Sequence, residues 1–162
     1  MLLFGACRTT APHTPTVDGH YVYEHSFDYD LEGNHFDVHE TGTMDFYADG
    51  TALDSARQVY AATLHNGDTL TWVYNYISPS RWRLVGEDFF FAGINERFRM
   101  ELMEGEATDL TQKIIDTYSA GIDYEYKFHL DTLTDDLLQW SFIYRDGHSD
   151  TWRFYREQTS SR

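Results

Sequence analysis

From Tyr21 onward the chain alternates with a period of two. Tyr21, Tyr23, His25, Phe27, Tyr29 and Leu31 share one parity, and Val22, Glu24, Ser26, Asp28 and Asp30 share the other. Successive side chains of an extended strand point to opposite faces, so such a segment buries one face and wets the other. The pattern recurs after a turn at Glu32-Gly33-Asn34, with Phe36, Val38, Glu40, Gly42, Met44 and Phe46 on the inner parity. Ala48-Asp49-Gly50 closes that strand with a hairpin signal. Further strands are predicted over 51–65, over Leu70 to Tyr76 with an end near Pro79, and over 81–91, 94–103, 122–130, 137–145 and 150–156. One helix interrupts them: Asp109 and Gln112 have capping-box spacing, Leu110, Ile114, Ile115 and Tyr118 share a face, and Gly121 suits the C′ position. Nine strands joined by tight turns, without a βαβ rhythm, predict an all-β fold. The expected form is an antiparallel up-and-down meander closing into a barrel, with one short α-helix before the last three strands.

Composition sharpens this reading. The 162 residues include 27 acidic and 12 basic ones, a formal net charge of −15, and 17% are aromatic. Nucleic acid is thereby disfavoured as a partner, because binding it needs a basic footprint that displaces counterions. Anionic membrane surfaces are disfavoured for the same reason, and no run approaches the roughly 20 apolar residues that span a bilayer. The single cysteine excludes an internal disulfide, so the core stands on packing. Strand parity ties charge to aromaticity: much of the acid falls on one side of successive strands and many of the rings on the other, the outside and inside of one β-structure.

Two resemblances follow. The opening Leu2-Leu3-Phe4-Gly5-Ala6-Cys7 resembles the end of a bacterial lipoprotein signal, which implies lipidation at Cys7. The Pro- and Thr-rich stretch up to Asp18 would then be a flexible tether. Arg8 rather than Asp after the Cys implies outer-membrane sorting in the bacterial cell envelope. Gly19-His20-Tyr21, the hairpin Gly-Thr-x-x-Phe-x-x-Asp-Gly-Thr at 42–51 and the closing Trp152-Arg153-Phe154-Tyr155-Arg156 resemble the lipocalin-like lipoproteins common in Bacteroidetes. That resemblance implies a tether over 1–18, a barrel over 19–158 and a tail over 159–162. It also implies barrel closure by an Arg of the last strand, Arg153 or Arg156, packed on Tyr21.

The aromatic parities, with polar residues falling among them, read as a small-molecule site. The expected ligand-binding set is Tyr23, His25, Glu40, Trp72, Tyr74, Glu96, Phe98, Tyr124 and Tyr126. His25, Glu40 and Glu96 form either an interior polar cluster or a water-exposed rim. A bulge at Thr41-Gly42 would turn Glu40 to solvent. Parity also turns Trp152 and Phe154 inward, which sends Arg153 and Tyr155 outward. His35, Asp37 and His39 share an outer parity, but alternate residues lie about 7 Å apart along a strand, too far for three of them to hold one ion. No metal or other cofactor is expected. No nucleophile elbow, phosphate loop or His-Glu-x-x-His motif occurs, so a non-enzymatic role is expected. The leading expectation is a membrane-tethered barrel that binds a small hydrophobic or amphipathic molecule. The alternative is an interaction module contacting an envelope protein or glycan through its outer face, with exposed aromatics around Trp82 and Phe89 to Phe91.

Overall fold

A computed structural model describes residues 14–157. Cys7, most of the tether and the tail lie outside the described residues. Nine antiparallel strands and one helix follow in the order β1 (Gly19–Leu31), β2 (Asn34–Phe46), β3 (Thr51–Thr63), β4 (Thr69–Val85), β5 (Asp88–Gly93), β6 (Arg99–Glu104), α1 (Asp109–Gly121), β7 (Tyr126–Leu133), β8 (Leu137–Ile143) and β9 (Ser149–Arg156). Each of β1 to β4 pairs with the next along its length, from Gly19↔Phe46 in the first hairpin to Thr51↔Arg81 in the last. β4 then pairs with β5, β5 with β7, β7 with β8, β8 with β9, and β9 with β1. The meander therefore closes into an eight-stranded barrel, with β6 added beside the first half of β4.

Closure is uneven along the barrel. β9 pairs with β1 only at Tyr21↔Arg156, Val22↔Tyr155 and Tyr23↔Phe154, and among the described residues β1 from Glu24 to Leu31 has no β9 partner. At the paired end Phe46 sits at the centre of an edge-to-face cluster, its ring 5.8 Å from Tyr21, Trp82 and Phe89 and 5.9 Å from Trp140. At the other end α1, which lies between β6 and β7 in the chain, packs against β6 and β4. Thr111 carries its carbonyl to the Tyr74 hydroxyl at 3.2 Å, and Gly93 donates its amide to Ile122 at 2.8 Å.

Several boundaries differ from expectation. The fourth strand does not end near Pro79 but runs on to Val85. Pro79 lies where the outer partner of β4 changes from β6, last paired at Ile77, to β5, first paired at Ser80. A residue without an N–H is tolerated at such a break in the ladder. The expected strand over 81–91 is accordingly a β4–β5 hairpin, and that over 94–103 is a 3-10 turn at Asn95–Arg97 followed by β6. β7 begins at Tyr126 rather than near Ile122. The helix cap is Thr108, which exchanges hydrogen bonds with Thr111 in a capping box, rather than Asp109. Gly121 does not adopt the left-handed conformation of a C′ residue. There is no bulge at Thr41-Gly42, because Glu40↔Gln58, Thr41↔Arg57 and Gly42↔Ala56 continue one register.

Candidate ligand cavity

A cavity of about 720 Å³ occupies the half of the barrel where β1 and β9 part. Its walls come from β1 (His25, Phe27, Tyr29), from β7 to β9 (Phe128, Trp140, Phe142, Trp152, Phe154) and from α1 (Ile114, Tyr118). The exposed residues among those lining it, Asp28, Thr117, Tyr126 and Tyr144, mark its mouth. The volume falls within the range of small-molecule sites, and the rings supply the apolar contact such sites use.

The floor is polar. Glu40 from β2 and Asp54 from β3 both line the cavity, bridged by the phenols of Tyr23 and Tyr76. The Tyr23 hydroxyl donates to Asp54 Oδ1 at 2.7 Å and lies 3.0 Å from the Tyr76 hydroxyl. The Tyr76 hydroxyl lies 2.8 Å from Asp54 Oδ2 and 3.2 Å from Glu40 Oε1. Gln58 donates to the other Glu40 oxygen and to the Tyr118 hydroxyl at 3.1 Å, and accepts from Tyr60 at 3.0 Å. Gly42 makes this possible. A Cβ there would lie 2.9 Å from Tyr23 Cζ and 2.7 Å from the Ser55 carbonyl, so only glycine lets the Tyr23 ring cross the strand toward Asp54.

Hydrogen counting shows that the floor retains protons. Tyr23 and Tyr76 contribute two hydroxyl hydrogens to four oxygen–oxygen contacts of 2.7–3.2 Å. With both carboxyls ionised, two of those contacts would set lone pair against lone pair, so the missing hydrogens come from the carboxyls. The electrostatics agree. Burial raises Glu40 above the ordinary carboxylate range, and burial together with the neighbouring Glu40 charge pushes Asp54 up to about 8. Burial likewise raises Tyr23, Tyr76 and Tyr118, which stay neutral hydroxyls. Glu40 is 5% exposed, whereas Asp54, though ringed by protein, keeps some accessible surface because that surface belongs to the cavity.

At the seam between β1 and β9, His25 lies tilted against Trp152 with ring centres 4.4 Å apart and stacks on Phe27 at 5.8 Å. Burial lowers its pKa, which favours the neutral imidazole, and among the described residues its buried Nε2 has no hydrogen-bond partner. On the outer side of the same seam a recess is lined by Glu24, His25, Ser26, Thr151 and Arg153.

Of the residues expected to form the site, Tyr23, His25, Glu40 and Tyr126 line the cavity. Trp72 and Tyr74 face inward but are buried in the packed core beside Phe36 and Tyr60, away from the open space. Phe98 is buried behind the wall against Tyr76 and Tyr118, at 6.2 and 5.9 Å. Glu96 is exposed in the 3-10 turn, since no strand reaches it, and Tyr124, 67% exposed, lies in the link between α1 and β7. Asp54, Gln58, Tyr76 and Tyr118 complete the floor and were not among the expected residues. The hairpin turn at Asp49-Gly50 carries the signal for two of them, because it sets Phe46 opposite Ala52 and hence Glu40 opposite Gln58 and Met44 opposite Asp54.

At the sealed end the Arg156 guanidinium lies 5.0 Å from the Tyr21 ring centre and donates to its hydroxyl at 2.6 Å, while that hydroxyl donates to the Val17 carbonyl at 2.9 Å. Arg153 plays no part there; its outward parity places it on the surface, 3.1 Å from Gln139. The aromatics expected on the outer face are largely internal. Phe89 is fully buried, Trp82 stacks on it at 5.8 Å, and Phe90 turns outward beneath Arg83 at 3.7 Å. On the outer side of β2, His35 pairs with Asp30 and Asp37, and His39 with Glu24. Among the described residues no group of three or more His, Cys, Asp or Glu is placed to hold a metal ion, and no helix is long and apolar enough to cross a membrane. No known protein family and no curated protein matches the sequence.

Proposed function

We propose that the protein is a non-catalytic binding barrel that holds a small, partly apolar molecule in its aromatic cavity. The observation that carries this reading is the roughly 720 Å³ space itself, walled by rings and floored by Tyr23, Glu40, Asp54 and Tyr76. A barrel with a structural role alone gains by filling such space, because interiors pack to crystal-like density and voids destabilise them. The molecule is anchored to a bacterial envelope membrane through acylated Cys7. The described chain joins the barrel at its sealed end, where Thr16 and Val17 accept hydrogen bonds from Arg156 and Tyr21, so an anchor ahead of them attaches at the end away from the cavity.

Native mass spectrometry of the purified protein, with Nile red binding followed by displacement with apolar extracts, tests the cavity. A saturable, displaceable dye site and a co-purifying mass are expected. A protein with neither is no binding barrel. For the anchor, Cys7→Ser is expected to move the protein from the membrane fraction to the soluble one; an unchanged distribution removes the tether.

A further inference from the structure

The charged groups of the cavity are almost all of one sign. Asp28 and Asp150 stand toward the mouth and Glu40 and Asp54 at the floor, and among the described residues lining it there is no Lys or Arg. The groups facing the carboxyl pair are Tyr23 from β1, Gln58 from β3, Tyr76 and Ser78 from β4 and Tyr118 from α1, all neutral. The pair is internal to a cavity rather than part of the acidic surface; it has no counter-charge among the described lining residues, and its close oxygen contacts depend on the protons its own carboxyls retain.

We propose that the cavity selects a cation, a protonated amine on an aromatic or apolar body, seated with its ammonium on Glu40 and Asp54. The inference deepens the binding reading above and rests on it. An ammonium brings three N–H donors and no acceptor, which is what a floor crowded with oxygen atoms lacks. Its fixed charge takes the place of one retained proton: one carboxyl ionises and its proton passes to solvent while the other stays protonated, leaving the charge of the complex balanced. Charge-assisted hydrogen bonds of this kind are roughly twice as strong as neutral ones. The walls suit the same ligand, since ring faces attract cations and stack on aromatic bodies. A carboxylate ligand meets the opposite: a floor of acids that can give up protons but offers no positive charge, no basic residue on the described walls, and a protein of net charge −15.

Three probes of nearly equal shape separate the possibilities: 2-(1-naphthyl)ethylamine, 2-(1-naphthyl)ethanol and 1-naphthylacetate, titrated calorimetrically into the full chain at pH 7 in two buffers of different ionisation enthalpy. The amine is expected to bind at least about tenfold tighter than the alcohol, the acetate most weakly, and only amine binding is expected to release protons to the buffer. The double variant Glu40→Gln/Asp54→Asn is expected to lose the amine preference over the alcohol and the proton release. The wild-type ranking and proton release decide the question by themselves if that variant fails to fold. An amine no tighter than the alcohol, or an acetate that binds best, overturns the cation assignment and leaves the binding barrel standing. No binding by any of the three overturns both.

Discussion

The two ends of the barrel are built from the same alternation of aromatic and polar residues and reach opposite results. At the sealed end β1 and β9 pair, Arg156 covers Tyr21, and Phe46 is ringed by Tyr21, Trp82, Phe89 and Trp140. At the open end β1 continues past Tyr23 without its β9 partner, the strands are bridged by the His25–Trp152 ring contact, and the rings of β1 and β7 to β9 line space on one side while Phe36, Tyr60, Trp72 and Tyr74 stay packed on one another on the other. What separates the ends is the ladder, which stops after three residue pairs, and the polar layer of Glu40, Asp54, Tyr23 and Tyr76 between them. Rings do not close over a layer that needs hydrogen-bond partners, so the cavity begins where the polar layer does.

The comparison breaks most sharply at Phe46. Phe46→Ala removes the hub of the sealed end and is expected to cost about 3–5 kcal/mol in urea unfolding, the range for a fully packed Phe. Phe142→Ala, on the half-buried cavity wall, deletes the same atoms from a surface already facing open space and is expected to cost less than half as much. Equal losses would mean that the two ends are packed alike and that the cavity is filled in solution.

The polar layer gives an intermediate effect with a definite sign. Glu40 and Asp54 hold in the fold protons that the unfolded chain releases, so the folded state binds more protons between the ordinary carboxylate range and Asp54's raised value of about 8. Stability is therefore highest below the ordinary carboxylate values, falls as pH rises through that window, and from this pair falls no further above it. Asp54→Asn cannot ionise and is expected to flatten this slope, standing about 1–2 kcal/mol above the parent near pH 9, of the order of the cost of a poorly compensated buried polar group. Chemical denaturation at pH 5, 7 and 9 measures it. A parent whose stability rises across that range would show that the pair is ionised throughout.

How much of this is legible in the sequence depends on what parity can say. Alternation places Tyr23, His25 and Glu40 inside, and they are inside; it also places Trp72 and Tyr74 inside, correctly, but inside a packed region rather than a hollow one. Whether an inward ring meets a neighbour or a void depends on volumes summed across several strands, and on small residues such as Ala52, Ala56 and Gly42 whose effect appears only in register. Asp54 and Gln58 lie in a strand whose own pattern is weak, yet the Asp49-Gly50 turn determines what faces them across the hairpin. Glu96 and Tyr124 fall where β4 changes partner at Pro79 and where α1 hands over to β7. Strand parity has no meaning at such junctions, because the chain is not extended along one ladder there.

The smallest effects discriminate between the two arginines of the last strand. Arg156 loses three things on truncation: its hydrogen bond to the Tyr21 hydroxyl, its contact with the ring, and its bond to the Thr16 carbonyl. Gly19, whose backbone φ is +151°, would place a Cβ only 3.1 Å from the guanidinium carbon, so the pocket is shaped to this side chain. Arg156→Ala is expected to cost about 1–2 kcal/mol, the sum of a charge-assisted hydrogen bond and a partly desolvated cation–π contact. Arg156→Lys is expected to recover part of it, because both bonds leave from the single nitrogen Nη2, whose donors an ammonium can replace, while the planar guanidinium against the Tyr21 ring is lost. Arg153→Ala, at an exposed site with one bond to Gln139, is expected to stay within about 0.5 kcal/mol of the parent. The closing contact depends on inward parity at the position paired with Tyr21, and only Arg156 has it; equal losses at the two arginines would mean that the ends are joined by surface charge and not by that contact.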